Sequence, residues 1–148
     1  MKILMVCLGN ICRSPLAEGI VRHLVAEQHP DWEVASAGTG DWHVGQPADR
    51  RSIAIAKSYG YDISAQRARH FNSNMLDEYD HILVMDKNNL RDVLKFAKTE
   101  QQRKKVRLFL TEESEVTDPY YDDNLFDLVF LTIEERAKKL IEELNQNI

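Results

Sequence analysis

Apolar residues fall along this chain in two kinds of pattern. Ile3-Leu4-Met5-Val6-Cys7-Leu8, which ends at Gly9-Asn10, and Ile82-Leu83-Val84-Met85 are short unbroken runs. Such runs suit strands buried on both faces, which predicts strands over 2–7 and 81–85. Trp32 to Ala37, stopped by Gly38, and Val106 to Leu110 predict two more. Elsewhere the apolar residues recur at helical spacing. Leu16, Ile20 and Leu24 mark a helix over 14–28, with Ser14 at the N-cap, Pro15 in the first turn and His29-Pro30 at its end. Further helices are expected over 49–59, closed by Gly60, and over 88–97, where Leu90, Val93, Leu94 and Ala97 share a face. The last spans 125–145, through Phe126, Phe130, Ile133, Ala137, Leu140, Ile141 and Leu144. Thr132 and Glu135 offer a capping box inside it, but the stripe runs on, so one helix is expected.

Strands alternating with helices predict an α/β fold: a parallel sheet covered on both faces, of the flavodoxin-like or Rossmann-like kind. Ligands of such sheets bind at the carboxyl ends of the strands, near a switch in strand order. The loop after the first strand, Cys7 to Ser14, lies at that edge.

The 148 residues are 43% hydrophobic and 29% charged, which fits one globular domain over 1–148. With 24 acidic against 19 basic side chains the net charge is −5, which argues against a nucleic-acid partner. The apolar start is too short for a signal peptide, and no run approaches the ~20 residues of a membrane span. The expectation is a soluble, cytoplasmic protein with no membrane partner. Two cysteines are too few for a disulfide scaffold and sit five residues apart, at 7 and 12.

Those cysteines belong to Cys7-Leu8-Gly9-Asn10-Ile11-Cys12-Arg13-Ser14-Pro15, which leaves a strand and enters a helix. Helix N-termini present unpaired N–H groups and a positive partial charge to anions. Gly9 and Asn10 tolerate unusual backbone angles, so successive N–H groups can turn inward as a nest. Arg13 adds a planar fork of donors suited to two phosphate oxygens. Cys7 then lies at the bottom of a phosphate cradle, where the positive field favours a thiolate and Ser14 can donate to it. No G-x-x-x-x-G-K-[ST] occurs, so this is not a nucleotide loop.

Phosphate transfer through a cysteine needs a proton for the leaving oxygen. Asp118, stiffened by Pro119 and placed after the fourth strand, is the candidate, with Tyr120 and Tyr121 beside an aromatic leaving group. The five histidines show no metal-ligand spacing, so they are read as surface or structural and no metal or other cofactor is expected. Arg103, Lys104, Lys105 and Arg107 are read as a solvated basic edge.

The chain resembles the low-molecular-weight protein tyrosine phosphatases. The resemblance is carried by C-L-G-N-I-C-R-S-P-L-A-E at 7–18, S-A-G-T at 36–39, D-W at 41–42, M-D-x-x-N-L-R-D at 85–92 and D-P-Y-Y at 118–121. It implies a four-stranded parallel sheet with flanking helices and hydrolysis of phosphotyrosine in protein substrates through a phosphocysteine. Carried over residue by residue, Cys7 is the nucleophile, Arg13 the phosphate clamp, and Asp118 the acid and then the base. Leu8, Gly9, Asn10, Ile11, Cys12 and Ser14 form the phosphate-binding loop, with Asn10 and Ser14 holding the loop and the thiolate. Trp42 and Tyr120 line the substrate cleft, and Cys12 bonds reversibly to Cys7 under oxidation. One departure is Gln66, in Gln66-Arg67-Ala68-Arg69, where some members carry a histidine that supports the loop asparagine. Relatives of the same fold are less well matched. Thioredoxin-coupled arsenate reductases need two further cysteines, and none follows Cys12. Protein arginine phosphatases carry threonine where this chain has Ile11, whose branched side chain should crowd a guanidinium group. A non-catalytic phosphoprotein-binding module should have lost Cys7, Arg13 or Asp118, and all three are present.

Overall fold

A computed structural model describes residues 1–111 and 113–146. Its strands are β1 (Lys2–Cys7), β2 (Glu33–Gly38), β3 (His81–Val84) and β4 (Val106–Leu108). All pair in parallel, in the order β2-β1-β3-β4. β1 and β3 occupy the centre and are covered on both faces, which is why their sequences are unbroken apolar runs.

Strand alternation sends Ile3, Met5 and Cys7 to one face and Leu4 and Val6 to the other. The first face is covered by α1 (Arg13–Val25), α2 (Arg50–Ser58) and α6 (Phe126–Gln146), through Leu16, Ile20, Ala56, Phe130, Ile133 and Leu140. The second is covered by α3 (Met75–Glu78) and α4 (Lys87–Leu94), through Met75, Leu76 and Val93, with Phe71 beside them. α5 (Glu100–Lys104) precedes β4. The expected four-stranded parallel sheet with helices on both faces is therefore what forms.

Several details differ from the sequence pattern. α1 begins at Arg13 with Cys12 at the N-cap and no side-chain cap bond, and Ser14, the expected cap, lies inside the first turn with its hydroxyl turned toward Cys7. It ends at Val25, before the expected 28. α3 and α5 were not expected, since four and five residues are too few to show a period. α5 does carry a local signature, a capping box of Thr99 with Gln102. β4 stops at Leu108 rather than Leu110. α6 runs through Thr132, whose hydroxyl donates to the Leu128 carbonyl at 2.8 Å within the helix and caps nothing.

The strand order places the site. From β1 the chain pairs first with β2 on one side and later with β3 on the other. The segments leaving β1 and β3 thus diverge from neighbouring strand ends and open a crevice between them. Arg13, at the start of α1, and Asp86, the N-cap of α4, face each other across it.

Candidate active site

The loop from Cys7 to Arg13 is held from outside. Thr39 N–H donates to the Cys7 carbonyl at 2.9 Å, Gly40 N–H to Leu8 at 2.8 Å and Asp49 N–H to Ile11 at 2.8 Å. In a planar trans peptide the N–H points opposite to the carbonyl. The N–H groups of Leu8, Gly9 and Cys12 are therefore directed into the loop, as an anion nest requires. Asn10 makes the turn at φ 57°, a left-handed conformation that asparagine tolerates. The loop also crosses close to β2: a Cβ on Gly38 would lie 2.8 Å from the Leu8 carbonyl oxygen. Only glycine allows that approach.

Beneath the loop, Cys7 is buried and its sulfur lies 3.0 Å from the Ser14 hydroxyl. Asn10 orders this contact. Its amide nitrogen donates to Ser14 Oγ at 2.8 Å and to Ser36 Oγ at 2.9 Å, while its carbonyl oxygen accepts from Arg69 N–H at 3.0 Å. Since the Ser14 oxygen accepts from Asn10, its proton is free to point at Cys7, the arrangement that stabilises a thiolate.

Arg13 is 2% exposed and oriented by two acceptors on Nη1: Asp86 Oδ2 at 2.7 Å and the Val116 carbonyl at 3.0 Å. Burial alone would pull its pKa down; Cys7, Asp86 and Asp118 outweigh that and hold the guanidinium firmly charged. Its Nη2 lies 3.6 Å from Asp118 Oδ2. Asp118 is partly exposed, and its other oxygen accepts from Tyr120 N–H at 3.1 Å, which fixes the carboxylate over the crevice. Cys7, Arg13 and Asp118, separated by up to 111 residues in the sequence, line one cleft of about 300 Å³.

Residues 2–148 match the family described as low molecular weight phosphotyrosine protein phosphatase. The phosphatase of that name from Sus scrofa is 36% identical over 137 residues, covering 87% of this chain and 86% of the relative. The chain belongs to this family. Among solved structures, the protein tyrosine phosphatase of Entamoeba histolytica with Hepes in its active site superposes with a TM-score of 0.91 at 35% identity, covering 99% of this chain and 98% of that one. Wzb of Vibrio vulnificus in complex with benzylphosphonate gives 0.86 at 32% identity, covering 96% and 97%.

The mouth of this phosphatase's cleft is aromatic. Trp42 and Tyr120 line it as expected, and Tyr121 joins them, 94% exposed. Trp42 lies over Gly40, where a Cβ would meet the indole at 1.7 Å. Tyr120 lies under the Arg51 guanidinium, 5.4 Å from its ring centre, and Asp49 and Asp123 hold Arg51 in place. Leu8, Gly9, Ile11 and Cys12 line the cleft too, whereas Asn10 and Ser14 do not. Both sit behind the loop, bonded to each other, with Ser14 also against Cys7.

Two further positions depart from the sequence reading. Gln66 does not reach Asn10: its amide donates to the Pro15 carbonyl at 3.1 Å, and Arg69 N–H serves Asn10 instead. His43, read as surface or structural, lines the cleft, its Nδ1 2.9 Å from Gln46 Oε1. The other histidines lie elsewhere: His23 packs edge-on against Tyr61, His29 stacks on Trp32, and His70 contacts the Thr39 carbonyl. Burial pulls the His81 pKa down. Among the described residues no cluster of three His, Cys, Asp or Glu could hold a metal ion. The basic edge is largely paired: Arg103 with Glu100 at 3.3 Å, Arg107 with Glu143 at 3.9 Å, and Lys105 with the Leu76 carbonyl at 2.9 Å. Cys12 is the second thiol of the loop. Burial pushes its thiol up to about 12, aided by Asp49, Cys7 and Asp118, so it stays protonated and neutral.

Proposed function

We propose that this chain hydrolyses phosphotyrosine in protein substrates, and small aryl phosphates, through a phosphocysteine on Cys7. The observation that carries this reading is the convergence of Cys7, Arg13 and Asp118 on one aromatic-mouthed cleft. The Cys7 thiolate attacks phosphorus in line, and the P–O bond to the tyrosine breaks. Arg13 and the inward N–H groups take up the equatorial oxygens as charge develops. Asp118 delivers its proton to the departing phenolic oxygen. As a carboxylate it then removes a proton from water, which attacks phosphorus and releases phosphate and the thiolate. The aromatic side chains at the mouth offer faces for the tyrosyl ring.

Cys12 lines the same cleft and fits the role of a protecting thiol. A peroxide that oxidises Cys7 to the sulfenic acid leaves a sulfur that Cys12 can attack, expelling water and forming a disulfide that thiols reverse. Both cysteines are free thiols, which supports work in a reducing compartment such as the cytoplasm.

Substrate choice rests on Ile11, which lines the cleft and is 9% exposed. Wild type and Ile11→Thr are to be compared on phosphotyrosine, phosphoserine and phosphoarginine peptides. Wild type should prefer phosphotyrosine by at least about 100-fold in kcat/KM, and Ile11→Thr should narrow the gap to phosphoarginine. A wild-type preference for phosphoarginine would overturn the assignment.

A further inference from the structure

The hydrogen-bond chain behind Cys7 does not stop at Asn10. Ser36 Oγ, which accepts from Asn10, donates its own proton to Glu18 Oε1 at 2.7 Å. Glu18 lies on the inner side of α1, only 7% exposed, and its other oxygen is 3.1 Å from Arg22 Nη2. We propose that Glu18 is a positioning residue for the nucleophile, acting through Ser36, Asn10 and Ser14 to aim a proton donor at Cys7. The proposal rests on the reading of Cys7 as the nucleophile.

The argument is one of donor and acceptor bookkeeping. A serine hydroxyl has one proton. Because Glu18 takes that of Ser36, the Ser36 oxygen can only accept from Asn10. Asn10 therefore presents its NH₂ to both serines and its carbonyl oxygen to Arg69 N–H, which also fixes which way round the amide lies. With Ser14 accepting in turn, its proton goes to Cys7. A carboxylate only accepts, so it keeps the Ser36 oxygen an acceptor for Asn10, whose NH₂ donates one hydrogen to Ser36 and the other to Ser14; a hydroxyl or water in place of Glu18 could donate to Ser36 and free its proton to turn toward Asn10. Asn10, Ser14, Ser36 and Glu18 are all buried, so solvent does not restore the order once a link is lost.

Gln66 takes no part in this chain of bonds. Its amide is spent on Pro15, and its buried Oε1 has no hydrogen-bond partner. The charged groups facing Glu18 are Arg22 from its own helix and Arg69, which also donates to the Ser36 carbonyl at 3.0 Å. Burial raises the Glu18 pKa, while Ser36 and the two arginines oppose the rise.

The test is the rate at which iodoacetamide alkylates Cys7 as a function of pH, with the labelled peptide identified by mass. Alkylation reports thiolate independently of phosphatase turnover. Glu18→Leu should slow alkylation at pH 6 about three- to tenfold and move the profile to higher pH. Glu18→Gln, which keeps an acceptor for Ser36, should stay within about twofold of wild type. Ser36→Ala breaks the next link and leaves the Glu18–Arg22 pair intact; it should match Glu18→Leu, and the double variant should be no slower than either single one. Wild-type alkylation profiles in folded Glu18→Leu and Ser36→Ala would overturn the proposal, as would additive effects in the double variant. If wild type does not turn over aryl phosphates at all, the functional reading fails instead, and the two failures are told apart.

Discussion

Cys7→Ser should abolish turnover of aryl phosphates and phosphotyrosine peptides, lowering kcat about a millionfold, while phosphate still binds. In the proposed mechanism the Cys7 sulfur attacks phosphorus, and its neighbour Ser14 is engaged with it at 3.0 Å. A serine hydroxyl in its place has a far higher pKa and no adjacent base to take its proton. The anion site should survive, because it is built from other parts. Arg13 is held by Asp86 and Val116, and the loop carbonyls by Thr39, Gly40 and Asp49. Inorganic phosphate at 100 times its Kd should still stabilise the variant by about 2.7 kcal/mol, read as a rise in Tm. Substantial residual turnover in Cys7→Ser would remove Cys7 as nucleophile. Loss of phosphate binding with the fold intact would show that the nest depends on the thiolate itself.

Asp118→Asn should give the second large effect, and its size should depend on the leaving group. An amide cannot donate an acidic proton, so kcat should fall about 10²- to 10⁴-fold for phosphotyrosine, whose phenolate is a poor leaving group. For a phosphate ester of an acidic phenol the loss in the phosphorylation step should be much smaller, since that oxygen departs unaided. Hydrolysis of the intermediate should remain slow for both, because in the proposed mechanism the same carboxylate activates water. Single-turnover measurements across a series of phenols separate the two steps. A uniform loss in the first step across the series would remove Asp118 as the acid. The geometry argues for dependence: Asp118 lies at the cleft, anchored by Tyr120 N–H and next to Arg13.

Much of this was legible in the sequence because the controlling signals are local. The unbroken runs of β1 and β3 report strands covered on both faces, and a strand–loop–helix passage with Cys7, Arg13 and Ser14 reports an anion site whatever surrounds it. The Asp-Pro-Tyr-Tyr turn is equally local. What stayed hidden depends on distant partners. Asp86 reaches Arg13 across 73 residues, and Ser36 reaches Glu18 across 18, with both pairs set by strand order rather than spacing. For Ser14 the sequence offers two roles, helix cap and partner of Cys7, and the second is the one its hydroxyl takes. Glu18 has polar neighbours at i−4 and i+4, Ser14 and Arg22, so the helical pattern does not mark it as buried. His43 showed no ligand spacing, and only the folding of the 39–46 loop over Gly9 brings it to the cleft. Helices of four or five residues escape any periodic reading, although the Thr99–Gln102 box was available to find α5.

The central claim is that phosphate passes through Cys7, and rapid acid quench followed by peptide mass mapping tests it most directly. Enzyme mixed with a phosphate ester of an acidic phenol and quenched within the first turnover should carry one phosphate, on the sulfur of Cys7, and lose it on longer incubation. Phosphate found on a different residue, or complete turnover with inversion at phosphorus and Cys7 never modified, would contradict the account.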